Sequence, residues 1–286
     1  MISKLKIQKK PKSKIANKKS NLSKPAKIYK KNSNNLATNK TAELTSNFQA
    51  NSTQNFKNSV AYFSMEIAIS HLIPSYHGGL GILAGDILKS GADLGINMVG
   101  IGLFCEYGNF RQSLDKFGNQ TDELSDWNPH DFYTLLPQTF TVKIAGKDII
   151  GRIWEYKLKG LKTDNPIYFI DASSDQNSPK DQKISYQLYS ANEEIWLKQQ
   201  IFLGLGGVQA LEVLGYPILD TYHLNESHDL FVMLELRKKL TNWHEVKKRI
   251  SFTIHTPLPG AHATLEFKKL ADFLDKNEIK MLMEAC

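Results

Sequence analysis

Hydrophobic positions fall into order only from Val60 onward. Val60 to Met65 is a continuous apolar-rich run of strand length, closed by a Gly-rich turn. A helical spacing over Leu83 to Leu94 follows, then a second apolar run from Met98 to Phe104. Between Thr139 and Leu158, apolar and polar residues alternate around Gly146 and Lys147 as in a hairpin, and Ile167 to Ile170 adds a short strand. The longest periodic segment runs from Asn192 to Leu214, with Ile195, Leu197, Ile201, Leu205, Val208, Leu211 and Leu214 at helical spacing. Asn192 is placed to cap its start, and Gly215 lies just past its end. A strand over Tyr222 to Leu224, a helix over His228 to Leu240, a strand over Phe252 to Ile254 and a helix from about Thr264 complete the pattern. Alternating strands and helices predict an α/β fold, its mostly parallel sheet covered on both faces.

Composition divides the chain near residue 57. Residues 1 to 57 carry fourteen lysines, no arginine and the single acid Glu43, a net +13, and their near-repeats around Pro11 and Pro25 set Lys beside Pro, Ala and Ile. The other 229 residues balance 22 basic against 28 acidic side chains, a net −6. The formal +7 of the 286-residue chain therefore belongs to a tail on a mildly acidic body, and nucleic acid is not an expected partner of that body. The tail cannot bury enough apolar surface to offset its ordering entropy, so it is expected to be disordered. Two cysteines, Cys105 and Cys286, make neither a disulfide framework nor a four-ligand zinc site and suit a reducing, cytoplasmic setting. No apolar run approaches the roughly 20 residues that a membrane span needs, and no secretory signal pattern opens the chain.

In open parallel sheets ligands gather at the carboxyl ends of the strands, which directs attention to three segments. His77-Gly78-Gly79-Leu80-Gly81 joins a strand to a helix; its glycines let a ligand approach backbone N–H groups at a positive helix end, or else serve a packed turn. It matches neither the dinucleotide fingerprint nor the P-loop. His223-Leu224-Asn225-Glu226-Ser227-His228 has none of the zinc-protease spacings, so no metal is expected; it suits hydrogen bonding to a polyhydroxylated ligand, or simply a helix cap. In Phe252-Thr253-Ile254-His255-Thr256-Pro257-Leu258-Pro259, two prolines fix the chain after His255 and hold an imidazole at the sheet edge. A fourth glycine cluster, Gly204, Gly206 and Gly207, lies inside the long helix and reads as a close helix–sheet contact.

Together these segments resemble one family. Val60-Ala61-Tyr62-Phe63-Ser64-Met65-Glu66, followed by Gly78-Gly79-Leu80-Gly81-Ile82-Leu83-Ala84-Gly85-Asp86, is similar to the opening of the α-glucan (glycogen, starch or maltodextrin) phosphorylases of the shorter microbial type. Gly100-Ile101-Gly102-Leu103 with Tyr107 to Gln112, then His223 to His228, then Phe252 to Pro259, recur there in the same order. The resemblance spans about residues 58 to 267. It implies the Rossmann-like N-terminal half of a two-domain GT-B glycosyltransferase, with α-1,4-glucan and inorganic phosphate as substrates and pyridoxal phosphate as cofactor. By motif position, Gly78, Gly79 and Gly81 would face phosphate, Leu80 and Asn225 would line the sugar site, and His255 would meet the glucose near its 6-hydroxyl. Glu226 and His228 would lie on the acceptor side, completing with His255 a catalytic set.

The chain departs from the family at Gly260-Ala261-His262-Ala263, where Ala-Gly-His-Asp is usual, and at Ser227, where Gly is common. The lysine-bearing cofactor domain has no counterpart, so the expectation for residues 58–286 is an incomplete N-terminal domain, inactive alone. It would be a fragment, a decayed copy, or one half completed by a separately encoded C-terminal half; a homo-oligomer is left open. A non-catalytic glucan-binding or regulatory module is the alternative. A nucleotide-sugar glycosyltransferase shares the architecture, but the His223 and His255 segments argue against it.

Overall fold

The computed structural model describes residues 58–108, 111–123, 127–255 and 265–285, all within the compact unit Asn55–Cys286. The expectations of a disordered basic tail and of a proline-fixed turn after His255 lie outside the described residues.

A seven-stranded sheet organises the chain. In sequence order its strands are β1 (Val60–Ser64), β2 (Met98–Leu103), β5 (Thr134–Ile144), β6 (Lys147–Leu158), β7 (Asn165–Asp171), β8 (Thr221–Asn225) and β9 (Ile250–Thr253). They lie in the order β5-β6-β7-β2-β1-β8-β9. From β7 to β9 every pairing is parallel, and β5 and β6 close the other side as an antiparallel pair. The mostly parallel sheet read from the sequence is therefore present, with an antiparallel extension. The hairpin turn sits at Ala145-Gly146, one residue earlier than expected. Both residues have positive φ (53° and 72°), as a two-residue primed turn requires. A separate exposed hairpin pairs β3 (Arg111–Leu114) with β4 (Gln120–Glu123).

β1 shows how the sequence selects two faces. Ala61 and Phe63 point into one apolar layer with Ile201, Leu205 and Val208 of α3 (Glu193–Val213), the helix that follows the short α2 (Pro179–Gln182). Val60 and Tyr62 belong to the other layer, with Ala84, Leu88 and Ala92 of α1 (Gly79–Leu94). Each fully buried side chain of this kind contributes about 1.5–3 kcal/mol, so a one-residue slip of β1 would exchange both layers at once. Glycines let α3 approach: a Cβ on Gly207 would meet Phe63 at 2.5 Å, one on Gly206 would meet Phe140 at 2.6 Å, and one on Gly204 would meet Phe231 at 2.5 Å. The helix–sheet reading of that cluster holds, and Gly204 serves a helix–helix contact besides.

Helix α3 starts as its sequence indicates, with the Asn192 side chain accepting from Ile195 N at 3.1 Å. Its first half buries polar residues because it also anchors the preceding loop. The Gln199 amide donates to Ile184 O (2.9 Å) and Gln187 O (2.6 Å) and its carbonyl accepts from Ser190 N. Three helical segments differ from expectation. α1 begins at Gly79 rather than Leu83, so the glycines form its first turn. The segment expected as one helix from His228 opens with a 3-10 turn (Ser227–Asp229) before α4 (Phe231–Lys239). Beyond α5 (Trp243–Lys247) and β9, the last segment divides into α6 (Phe267–Leu270) and α7 (Lys276–Ala285). The division falls at Asp275, whose carboxylate accepts from Asn277 N and Glu278 N while Glu278 accepts from Asp275 N, a reciprocal cap.

Candidate active site

The carboxyl ends of β1, β8 and β9 meet at one place. Directly after β1, Glu66 is only 3% exposed, and its carboxylate receives three hydrogen bonds. Oε2 accepts from the backbone N–H of His77 and of Gly78, the latter at 3.1 Å, and Oε1 accepts from the Tyr189 hydroxyl at 3.0 Å. The loop ahead of α1 is thus held from below by a buried anion.

The glycines divide into two kinds. A Cβ on Gly81 would strike Tyr76 at 2.5 Å and Glu66 Oε2 at 3.0 Å, and one on Gly85 would run into the carbonyl of Ala68, so those two serve packing. Around Gly78 and Gly79 a Cβ would meet nothing within 4 Å. Gly78 is the N-cap of α1, without a side-chain cap and with no acid in the first turn. The Gly79, Leu80 and Gly81 N–H groups are the first-turn donors that a helix leaves unpaired. They combine with the dipole end and the open approach to make a place for an anion. Of the residues expected to face phosphate, Gly78 differs: its N–H is committed to Glu66.

Across the β1–β8 pair a second network forms. Ser64 Oγ donates to Glu66 O (2.6 Å) and accepts from Asn225 Nδ2 (3.2 Å). Asn225, fully buried at the end of β8, therefore turns its Oδ1 toward His255 Nε2, 2.7 Å away. An amide oxygen only accepts, so this network puts a proton on Nε2 and leaves Nδ1 of a neutral His255 as an acceptor. Glu226 follows Asn225 with φ 78° and ψ 175°, a region that costs a non-glycine residue about 1–3 kcal/mol. Two bonds to the β9 end hold it there: Glu226 N donates to Thr253 O (2.9 Å), and Glu226 Oε1 accepts from His255 N (2.6 Å).

Tyr189 joins the two networks. Its hydroxyl lies on Glu66, and its ring packs 5.5 Å from His228 and 6.3 Å from His77. Burial, with the Glu66 charge beside it, pushes the Tyr189 phenol far above its ordinary value, so it stays a donor. Burial pulls His228 below the usual histidine value, against the opposing pull of Glu226 and Glu66. His228 Nδ1 is buried without a hydrogen-bond partner, as are Tyr62 OH and Asp229 Oδ1. Asp229 is fully buried, and its carboxyl is pushed well up by burial, with Glu226 adding to the effect; the N–H of Asn225 on Oδ2 (3.1 Å) opposes it.

The structure therefore links Gly78, Asn225, Glu226, His228 and His255 at the strand ends through Ser64, Glu66 and Tyr189, and Gly79, Leu80 and Gly81 follow Gly78 as the first turn of α1. His223 stands apart: its Nε2 meets Thr253 Oγ1 at 2.9 Å, its ring lies against Tyr62, and burial lowers its pKa. Among the described residues no group of three or more His, Cys, Asp or Glu is placed to hold a metal ion. Two residues that tie these networks together were not singled out from the sequence. Glu66 had a signal, an acid immediately after a buried strand. Tyr189, in a loop with φ 52°, had none.

No family model matches the chain. It is 36% identical over 237 residues to a maltodextrin phosphorylase of Thermococcus litoralis, covering 76% of this chain and 28% of that protein. It is 33% identical over 236 residues to a glycogen phosphorylase of Aquifex aeolicus (76% and 33%), and 32% identical over 224 residues to one of Mycobacterium tuberculosis (70% and 25%). The chain thus spans about a quarter to a third of the length of these curated relatives. Relatives at 32–36% identity that agree over 70–76% of this chain make it a member of the α-glucan phosphorylase family, corresponding to its N-terminal part.

Proposed function

We propose that this chain forms the glucan- and phosphate-facing wall of an α-1,4-glucan phosphorylase. The complete enzyme, built as a two-domain GT-B glycosyltransferase in the cytoplasm, releases glucose 1-phosphate from the end of glycogen or maltodextrin by phosphorolysis. The observation that carries this reading is the convergence of an open helix start at Gly79 with a tautomer-fixed His255, both tied to residues 64–66 of β1 and its exit.

Each group has a part. The N–H groups of Gly79, Leu80 and Gly81 receive phosphate oxygens, and Leu80 lines the sugar site. His255 Nδ1 accepts a hydrogen bond from a sugar hydroxyl, with Asn225 orienting the imidazole through Nε2. Glu226, holding the His255 backbone, and His228, kept uncharged by burial, shape the acceptor side. Breaking the glycosidic bond develops positive charge on the sugar ring, and fixed dipoles stabilise it most where water is excluded. Pyridoxal phosphate does not fit the residues present here. Its Schiff base needs a lysine, and Lys198, the buried lysine among the described residues, is held by Glu194 (3.0 Å) and Asp181 (3.7 Å). We assign the cofactor to the other half of a complete enzyme.

The test is release of glucose 1-phosphate from maltoheptaose and phosphate. The 286-residue chain alone is expected to be inactive and to gain activity when a C-terminal half is supplied. A folded, inactive mixture in which the chain still binds maltoheptaose would instead support a glucan-binding module. Absence of both binding and activity would reject the reading.

A further inference from the structure

We infer that Glu66 is a positioning residue: its carboxylate holds the glycine loop so that the N–H groups of Gly79, Leu80 and Gly81 stay free for an anion. The inference rests on the phosphate reading of that loop and adds a residue that the reading does not contain.

A helix start built from Gly78, Gly79 and Gly81 has many conformations open to it, because glycine lacks the Cβ that restricts φ and ψ. Something must choose one. The two N–H groups just before the helix, on His77 and Gly78, are drawn inward by Glu66 Oε2, and the three that follow are left to the outside. The seat is shaped for the carboxylate: a Cβ on Gly81 would come within 3.0 Å of Oε2. Tyr189 caps the other oxygen, so the carboxylate is gripped on both oxygens, by two backbone N–H groups and a phenol. The main chain of the same residue is fixed independently, with Glu66 O accepting from Ser64 Oγ, the group that also orients Asn225 and through it His255. One residue thereby sets the distance between the anion-facing loop and the sugar-facing imidazole.

The substitutions divide the roles. In Glu66→Gln the amide oxygen still accepts from the loop, and its NH₂ can donate to the Tyr189 hydroxyl, so the geometry survives without the charge. In Glu66→Ala the loop N–H groups lose their acceptor, and in Glu66→Asp the carboxylate is retained but withdrawn by one methylene. The experiment titrates the full chain with inorganic phosphate while following the amide resonances of Gly79, Leu80 and Gly81, and measures hydrogen exchange at His77 and Gly78.

Glu66→Ala and Glu66→Asp are expected to weaken phosphate binding about tenfold or more and to accelerate exchange at His77 and Gly78. Glu66→Gln should stay within about threefold on both, since it keeps the acceptor. If Glu66→Ala fails to fold, Glu66→Asp against Glu66→Gln decides. Unchanged phosphate affinity in a folded Ala or Asp variant, with only a lower melting temperature, would overturn the inference. So would unchanged exchange at His77 and Gly78. A wild-type chain whose Gly79 to Gly81 resonances ignore phosphate would overturn the phosphate reading of the loop, whereas the exchange data judge the hold of Glu66 on the loop separately.

Discussion

Two buried carboxylates end neighbouring parts of the same sheet, and they are treated in opposite ways. Asp171, at the end of β7, is saturated: Arg152 donates to both its oxygens at 2.9 Å, and Trp154 Nε1 and Ser173 N add two more bonds. Phe104 stacks on Trp154 and closes the cluster. Glu66, at the exit of β1, accepts from two backbone N–H groups and a phenol, and its surroundings contain partnerless buried atoms on His228, Asp229 and Tyr62. The first arrangement is closed and needs nothing else. The second leaves hydrogen-bonding capacity unused next to an open helix start, which in a buried environment is costly unless a ligand completes it.

The sharpest way to break this comparison is to treat both sites alike. Arg152→Ala strands the Asp171 charge and should destabilise the fold by about 3–5 kcal/mol, read from denaturant unfolding. If glucan and phosphate binding by the surviving folded molecules also collapsed, the two clusters would not be separable. Next in size, His255→Ala in the reassembled enzyme should lower turnover by roughly one to three orders of magnitude while changing the melting temperature little, because the side chain is exposed. A destabilised protein with normal turnover would remove His255 from the active site.

A smaller effect concerns Asp229. An acid whose folded pKa lies above its unfolded one binds more protons when folded, so its contribution to stability falls as pH rises from the ordinary carboxylate range through the raised value. Asp229→Asn should therefore stabilise the protein most at pH 8, with the gain shrinking toward pH 4; thermal unfolding across that range measures it. A gain that grew as pH fell would show that the carboxylate is charged and well paired. The smallest change in stability belongs to Gly79→Ala. With no atom near the new Cβ and no positive φ, it should leave stability unchanged or raise it by about 0.5–1 kcal/mol. Phosphate shifts at the loop should weaken in the same variant, and a loss of stability without loss of phosphate binding would make the glycine a packing residue after all.

Much of this was legible in the chain. The strand at Val60, the helix capped by Asn192 and the parallel sheet follow from apolar spacing, because each is buried on a face that the period reveals. The β3–β4 hairpin is not legible in the sequence, since Gln112 to Leu114 and Gln120 to Asp122 lack a buried face to impose alternation. The early start of α1 was hidden by helix-poor glycines, which tertiary packing against Tyr76 and Ala68 nevertheless requires. The site residues Gly79 and His255 could be singled out because they follow strands. The Glu66–Tyr189 bond joins residues 123 positions apart, and no local pattern encodes it.

That separation has a consequence for how the molecule comes into being. Ser64 meets Asn225 across 161 positions, and β1 pairs with β8 only after more than half the chain has been synthesised. Until then β1 has one flank paired with β2 and the other bare. Contacts of such long range form late and slowly, so the nascent chain passes through a stage with an open, apolar sheet edge. Chaperone dependence in translation is the expected signature, and it should lapse once the residues of β9 have left the ribosome.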